Sequence, residues 1–114
     1  MSVMTARATA ANAAVAMVIA PGYQFQLEEV RIHLSAVGGA GVLTVTEDSG
    51  LGATYDTILV AQDMTAVQNW TWIPARPLRF TYTDGTVATS DHIDIAWANA
   101  GNLAYGIQVF YSPI

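Results

Sequence analysis

The chain predicts an all-β domain, a sandwich of eight antiparallel strands in two sheets, and three observations carry that prediction. Segments such as Val30-Arg31-Ile32-His33-Leu34, Leu78-Arg79-Phe80-Thr81-Tyr82 and Ile93-Asp94-Ile95-Ala96-Trp97 alternate apolar and polar side chains. A period of two puts one set of side chains on a buried face and the other on water or a partner. Turn residues (Gly, Asn, Asp) separate these segments at intervals of about 8–14 residues, and no stretch carries a helical period of useful length. At 114 residues and 53% hydrophobic content, the chain holds one domain with material for one core.

Residues 1–13, with Ser2, Thr5, Ala6, Ala8, Thr9 and Ala10, are small, polar and without turn chemistry, and read as a flexible arm. The folded domain then spans residues 14–114. Strand one is 14–20, where Val15, Val18 and Ile19 are β-branched and Pro21-Gly22 closes the segment. The run Ala10–Ala20 mimics a targeting signal, but Arg7 is a lone cation, Asn12 interrupts the run, and it is too short to span a bilayer. Strand two, 25–34, turns Val30, Ile32 and Leu34 inward and Glu29, Arg31 and His33 outward. The turn Val37-Gly38-Gly39-Ala40-Gly41 follows, with Gly supplying positive φ.

Strand three is 42–46, and the polar loop Glu47–Gly52 leads to strand four, 55–61. Strand five, 67–73, carries Trp70 and Trp72 on one face. Pro74 and Pro77 then break the ladder before strand six, 78–83, which ends at the hairpin pair Asp84-Gly85. Strand seven, 92–98, and strand eight, 104–111, flank the turn Asn99-Ala100-Gly101-Asn102. Eight short strands in a domain of this size fit a jelly roll. The immunoglobulin-like sandwich is the runner-up, but the chain lacks the cysteines of its signature.

Composition narrows function. Four arginines and no lysine face nine carboxylates, for a net charge of −5. Arg7, Arg31, Arg76 and Arg79 are scattered along the chain, so nucleic acid and anionic membrane surfaces are not the expected partners. With only 11% charged residues, the surface suits close contact with other subunits, because few ions need to be desolvated. The absence of cysteine removes disulfides, thiolate metal sites and a Cys nucleophile.

Catalytic chemistry is thinly supplied. No Gly-x-Ser-x-Gly elbow occurs, and His33 and His92 both sit inside alternating strands, so an enzyme is not expected. His92 and Asp94 share a strand face and, with Asp91, offer metal ligands, but no complete set is present. The loop 47–56 has oxygen donors without the acidic spacing of an EF-hand. No cofactor and no metal are expected. Asn69-Trp70-Thr71 matches a glycosylation sequon inside a predicted strand and is discounted. Trp70, Trp72, Tyr55, Tyr82 and Tyr105 offer a stacking platform for sugar rings, although large aromatics more often fill a core.

Four phrases resemble small jelly-roll virion proteins of bacteriophages, the kind that decorate or cement a capsid. They are Phe25–Ser35, Gly52–Leu59, Ala96-Trp97-Ala98-Asn99 and Tyr105-Gly106-Ile107-Gln108-Val109, and the resemblance covers residues from about 14 to the end. It implies a non-enzymatic homotrimer on the outer capsid surface, made in the host cytoplasm and bound to the major capsid protein or another virion protein. The alternative is a carbohydrate- or receptor-binding sandwich of a phage tail. The candidate partner-binding residues are Arg7, Leu27, Arg31, Trp70, Trp72, Tyr105 and Tyr111. The arm, extended at about 3.3 Å per residue, reaches a neighbour, adds a strand to its sheet, and is expected to be dispensable for folding.

Overall fold

The computed structural model describes residues 3–82 and 90–114, and among them the only helical element is a 3-10 turn, Ala53–Tyr55. Nine strands form: β1 Met4–Ala10, β2 Val15–Ile19, β3 Phe25–Leu34, β4 Val42–Asp48, β5 Thr57–Asp63, β6 Asn69–Trp72, β7 Leu78–Phe80, β8 His92–Trp97 and β9 Tyr105–Pro113. They make two antiparallel sheets packed as a sandwich. One has the order β1-β9-β3-β6, with β7 also on β3, and the other has the order β2-β8-β4-β5. The predicted all-β sandwich is what forms. The Asp84-Gly85 turn lies outside the described residues.

The alternation read in the sequence becomes the core. Val30, Ile32 and Leu34 of β3, Leu43 and Val45 of β4, Ile93, Ile95 and Trp97 of β8, and Ile107 and Val109 of β9 are all buried between the sheets. Burying a side chain of this kind contributes roughly 1.5–3 kcal/mol, so these strands hold the domain together. Within β3 the phase of alternation slips, because Phe25 and Leu27 are buried as well as Val30. A bulge between Leu27 and Glu29 absorbs the extra residue. The displaced Glu28 carboxylate accepts hydrogen bonds from Gln26 Nε2 at 3.1 Å and Ser112 Oγ at 2.9 Å.

The first correction concerns residues 1–13. Met4–Ala10 are not a free arm but β1, paired in full register with β9 from Met4↔Tyr111 to Ala10↔Tyr105. The strand addition expected on a neighbour takes place within the chain's own sheet. Ala6, Ala8 and Ala10 pack inward against the core, while Thr5, Arg7 and Thr9 are exposed. Segment 4–10 therefore alternates as any half-buried strand does. Its inward residues are only methyl groups, which is why the pattern carries little hydrophobic contrast.

With β1 the count among the described residues is nine strands where the sequence predicts eight. Predicted strands five and six form as β6 and β7, which both pair with β3, at Val30–His33 and Phe25–Leu27 respectively. Pro74 and Pro77 lie between them, where the missing N–H groups interrupt the ladder. The turn after β3 also works differently from expectation at one position. Gly41 has φ 116°, but Gly38 is needed for space, since a Cβ there would lie 2.2 Å from the Met64 carbonyl oxygen. Gly38 N–H donates to Val67 O at 2.8 Å, which locks this turn onto the β5–β6 connection.

At the β8–β9 turn, Asn99 is buried and left-handed at φ 52°. Its Nδ2 donates to Ala13 O at 2.8 Å and Leu103 O at 2.9 Å, and its Oδ1 accepts from Leu103 N at 3.1 Å. One side chain thus fastens the β1–β2 link to the β8–β9 turn.

Candidate functional site

Since each sheet buries one face, chemistry is left to the two outer faces and the loops. On the five-stranded sheet, register aligns three outward rows. Arg7, Gln108, Arg31 and Thr71 form one row across β1, β9, β3 and β6. Thr9, Gly106, His33 and Asn69 form the next, and Thr5, Phe110 and Glu29 lie on the other side. The two arginines, 24 positions apart in the sequence, meet because β9 runs between β1 and β3.

The first two rows frame an open concavity of about 430 Å³ whose lining includes Arg7, Arg31, His33, Thr71, Gly106 and Gln108. Its hollow comes from Gly106, where a Cβ would meet nothing within 4 Å. The side chains around it are held in place. Glu29 accepts from Arg31 Nε, and the Arg31 guanidinium lies 5.0 Å from the Phe110 ring centroid, a cation–π arrangement. The exposed His33 pairs through Nδ1 with Asn69 Oδ1 across β3 and β6, the amide oxygen accepting. Arg7 makes no ion pair among the described residues.

The outer face of the four-stranded sheet has the opposite character. Its central row is Ala16, Ala96, Thr44 and Ala61, and the next is Val18, Asp94, Thr46 and Ile58. Val18 is 60% and Ile58 62% exposed, and Val42 beside them is 51% exposed. This is a flat, largely uncharged surface. At its end Asp48, His92 and Asp94 gather within 4.8 Å of one another, with His92 Nε2 3.0 Å from Asp48 Oδ2 and 3.8 Å from Asp94 Oδ1. Partial burial, then the hydrogen bond and charge of Asp48, push the Asp94 carboxyl above its usual range. Three ligand atoms there are enough to hold a divalent cation only with water or a partner completing the shell.

The sequence grouping of Asp91 with His92 and Asp94 needs correction. Asp91 turns the other way, accepting from Gly50 N at 3.0 Å and from Thr81 Oγ at 2.8 Å, and Asp48 takes its place beside His92. Partial burial works against the Asp91 anion, but the Gly50 and Thr81 donors outweigh it and hold its carboxyl below the ordinary value. In the loop 47–56, Asp56 Oδ1 accepts from Ser49 N at 2.9 Å and Ser49 Oγ accepts from Leu51 N at 3.1 Å. Those oxygens close the loop on itself.

Of the candidate partner-binding residues, only Arg7 and Arg31 are exposed, and the structure brings them to one face. Leu27 is 2% exposed and Tyr105 9%, so both are core residues. The bulge after Leu27 is what turns it inward, and the Tyr105 hydroxyl donates to Ala14 O at 3.2 Å. Tyr111 is half-buried, its ring 5.7 Å from Phe25 and 6.5 Å from Tyr23.

Trp70 and Trp72 pair with Ile32 and Val30, which fixes them on the inner face. There they are half-buried against the core, because β6 is an edge strand. Trp70, Trp72 and Tyr105 are turned toward the core while Tyr55 stands exposed on the 3-10 turn, so the five aromatics do not make one stacking row. Gly106, Gln108 and His33 escaped the sequence reading as site residues. The available signal was Gly106, a glycine inside an otherwise well-formed strand, which marks a close approach or a missing side chain. Comparison of the chain with models of known protein families and with curated proteins gave no match.

Proposed function

We propose that this chain is a non-enzymatic structural protein of a virion, a decoration or cement protein that binds the outer shell and self-associates. The observation that carries the reading is the flat face of the four-stranded sheet, where Ala16, Val18, Ala96, Ala61 and Ile58 stand open to solvent with few charges among them. A face of this kind is stabilised when a second surface covers it, and it needs little desolvation of ions to do so. The strand order supports the same reading. Counting β6 and β7 as one strand interrupted by prolines, eight strands run 1-8-3-6 in one sheet and 2-7-4-5 in the other. That order supports a jelly-roll reading, a fold common in capsid architecture. A homotrimer is the stoichiometry that the resemblance of the sequence implies.

Ala96→Arg tests it at the centre of the face. Light scattering of the parent at micromolar concentration is expected to give a multiple of the 12.1 kDa chain mass. The variant is expected to be monomeric, since burying an unpaired charge costs about 3 kcal/mol, roughly a hundredfold in association. A monomeric parent removes the assembly reading. Electron cryomicroscopy of the particle that carries the protein then locates the copies.

The second reading, a carbohydrate- or receptor-binding sandwich, is favoured by the concavity over Gly106, where Arg7, Arg31, Gln108 and Thr71 stand around a largely apolar floor, and no longer by the tryptophans. A folded monomer that binds a host glycan through that concavity would make it the better of the two.

A further inference from the structure

We infer that the concavity over Gly106 is a binding site for a carboxylated saccharide, with Arg7 and Arg31 as the carboxylate's partners. The inference rests on the receptor-binding reading and gives it a place and a chemistry. Two of the chain's four cationic side chains stand in this one row, on a protein of net charge −5. They are separated by β9 alone, so their backbones lie about 10 Å apart, two strand spacings. Both arginines line the hollow with Gln108 between them, and the Arg31 guanidinium rests over Phe110 beside Glu29, from where an anion above Gln108 would draw its terminal donors across. Glu29 occupies the Nε–H of Arg31, which leaves the terminal Nη donors of that guanidinium, and the fork geometry of guanidinium suits a planar carboxylate.

The rest of the lining selects a sugar over a bare anion. Gln108, Thr71 and Thr9 supply neutral donors and acceptors, the groups that pair with hydroxyls. The missing side chain at Gly106 lets a ring lie directly on the strand backbone. No aspartate or glutamate lines the hollow. A volume of about 430 Å³ is at the small end of ligand sites, right for one or two rings.

The test is an NMR titration of the intact chain with a glucuronic acid-containing disaccharide. Its controls are the same disaccharide with the carboxylate reduced to a hydroxymethyl group, and inorganic phosphate. The acid is expected to shift the amides of Arg7, Gly106, Gln108 and Arg31, with the reduced sugar binding about tenfold more weakly for loss of a charge-assisted hydrogen bond. Gly106→Trp, which fills the hollow, is expected to abolish the shifts. Arg7→Gln, an exposed change that does not threaten the fold, is expected to weaken binding about tenfold.

Equal binding of acid and reduced sugar at these amides would overturn the carboxylate inference while leaving a glycan receptor standing. Phosphate matching the disaccharide would reduce the site to a simple anion site and overturn the saccharide. No response to either sugar would remove the inference and, with it, the concavity's support for receptor binding.

Discussion

On the five-stranded sheet the outward row across β1, β9, β3 and β6 is Arg7, Gln108, Arg31 and Thr71, whereas across β2, β8, β4 and β5 it is Ala16, Ala96, Thr44 and Ala61. Both rows obey the same alternation and sit opposite equally well-buried inner faces. The inner positions are tied to the core and say little about function. The outer ones are free to vary, and they diverge into a hollow rimmed by two arginines on one side and a largely uncharged surface on the other. One sandwich therefore offers two unlike surfaces, one with the character of a ligand site and one of a packing face.

Removing residues 2–11 is the largest way to break the contrast. It deletes β1, takes Arg7 from the hollow, and leaves the backbone of β9 as an open sheet edge beside Ile107 and Val109. The loss is expected to be on the order of 3–5 kcal/mol, a large share of a domain's stability, with aggregation through the bare edge. Thermal unfolding and light scattering report both. A deletion variant that melts with the parent would restore the dispensable arm expected from sequence.

That strand shows where sequence reading stops. Alternation with large inward residues made Val30, Ile32 and Leu34 of β3 and Ile93, Ile95 and Trp97 of β8 legible, because such side chains mark the buried face. In β1 the inward residues are Ala6, Ala8 and Ala10, whose single methyl groups give little hydrophobic contrast with the neighbouring Thr5 and Thr9 and leave only Arg7 to mark the outer face. The meeting of Arg7 with Arg31 was not legible either, since it depends on β9 entering between β1 and β3, a matter of strand order. Leu27, a candidate partner-binding residue by sequence, is buried because a bulge changes the phase of β3 without leaving a turn residue behind.

A smaller perturbation loosens β1 without removing it. Asn99→Ala deletes two donated hydrogen bonds and one accepted one at a buried left-handed position, including the bond to Ala13 O in the β1–β2 link. The expected cost is about 2–3 kcal/mol. Denaturant unfolding measures it, and amide exchange is expected to rise more in β1 than in β5. A uniform rise would show that Asn99 serves the whole domain and has no special hold on the five-stranded sheet.

Gly106→Thr sharpens the contrast from the other direction. The position has ordinary strand dihedrals and open space, so a β-branched residue is expected to stabilise by about 0.5–1 kcal/mol over glycine. If the hollow exists for a ligand, this glycine is kept at a cost in stability. A melting temperature that falls on substitution would mean that the glycine is structural.

The smallest expected effect lies at the end of the flat face. Asp94 has its carboxyl raised from the ordinary 3.8, first by partial burial and then by the hydrogen bond and charge of Asp48. A group raised in the folded state contributes stability that is fully present below its unfolded value and is lost as pH rises through its folded value. At neutral pH the ionised Asp94 therefore opposes folding, and Asp94→Asn is expected to stabilise there and to lose its advantage as pH falls below about 3.8. The side chain is 39% exposed, so solvent screening keeps the gain under about 1 kcal/mol. Asp91 provides the opposite sign three residues away. Its carboxyl is lowered, so its contribution is present above 3.8 and lost as pH falls through its folded value. Melting curves of the two Asn variants between pH 3 and 7 are expected to move in opposite directions relative to the parent as pH rises. Parallel movement would mean that the Asp48–His92–Asp94 group is held by attraction alone, and that the flat face carries no electrostatic tension at its rim.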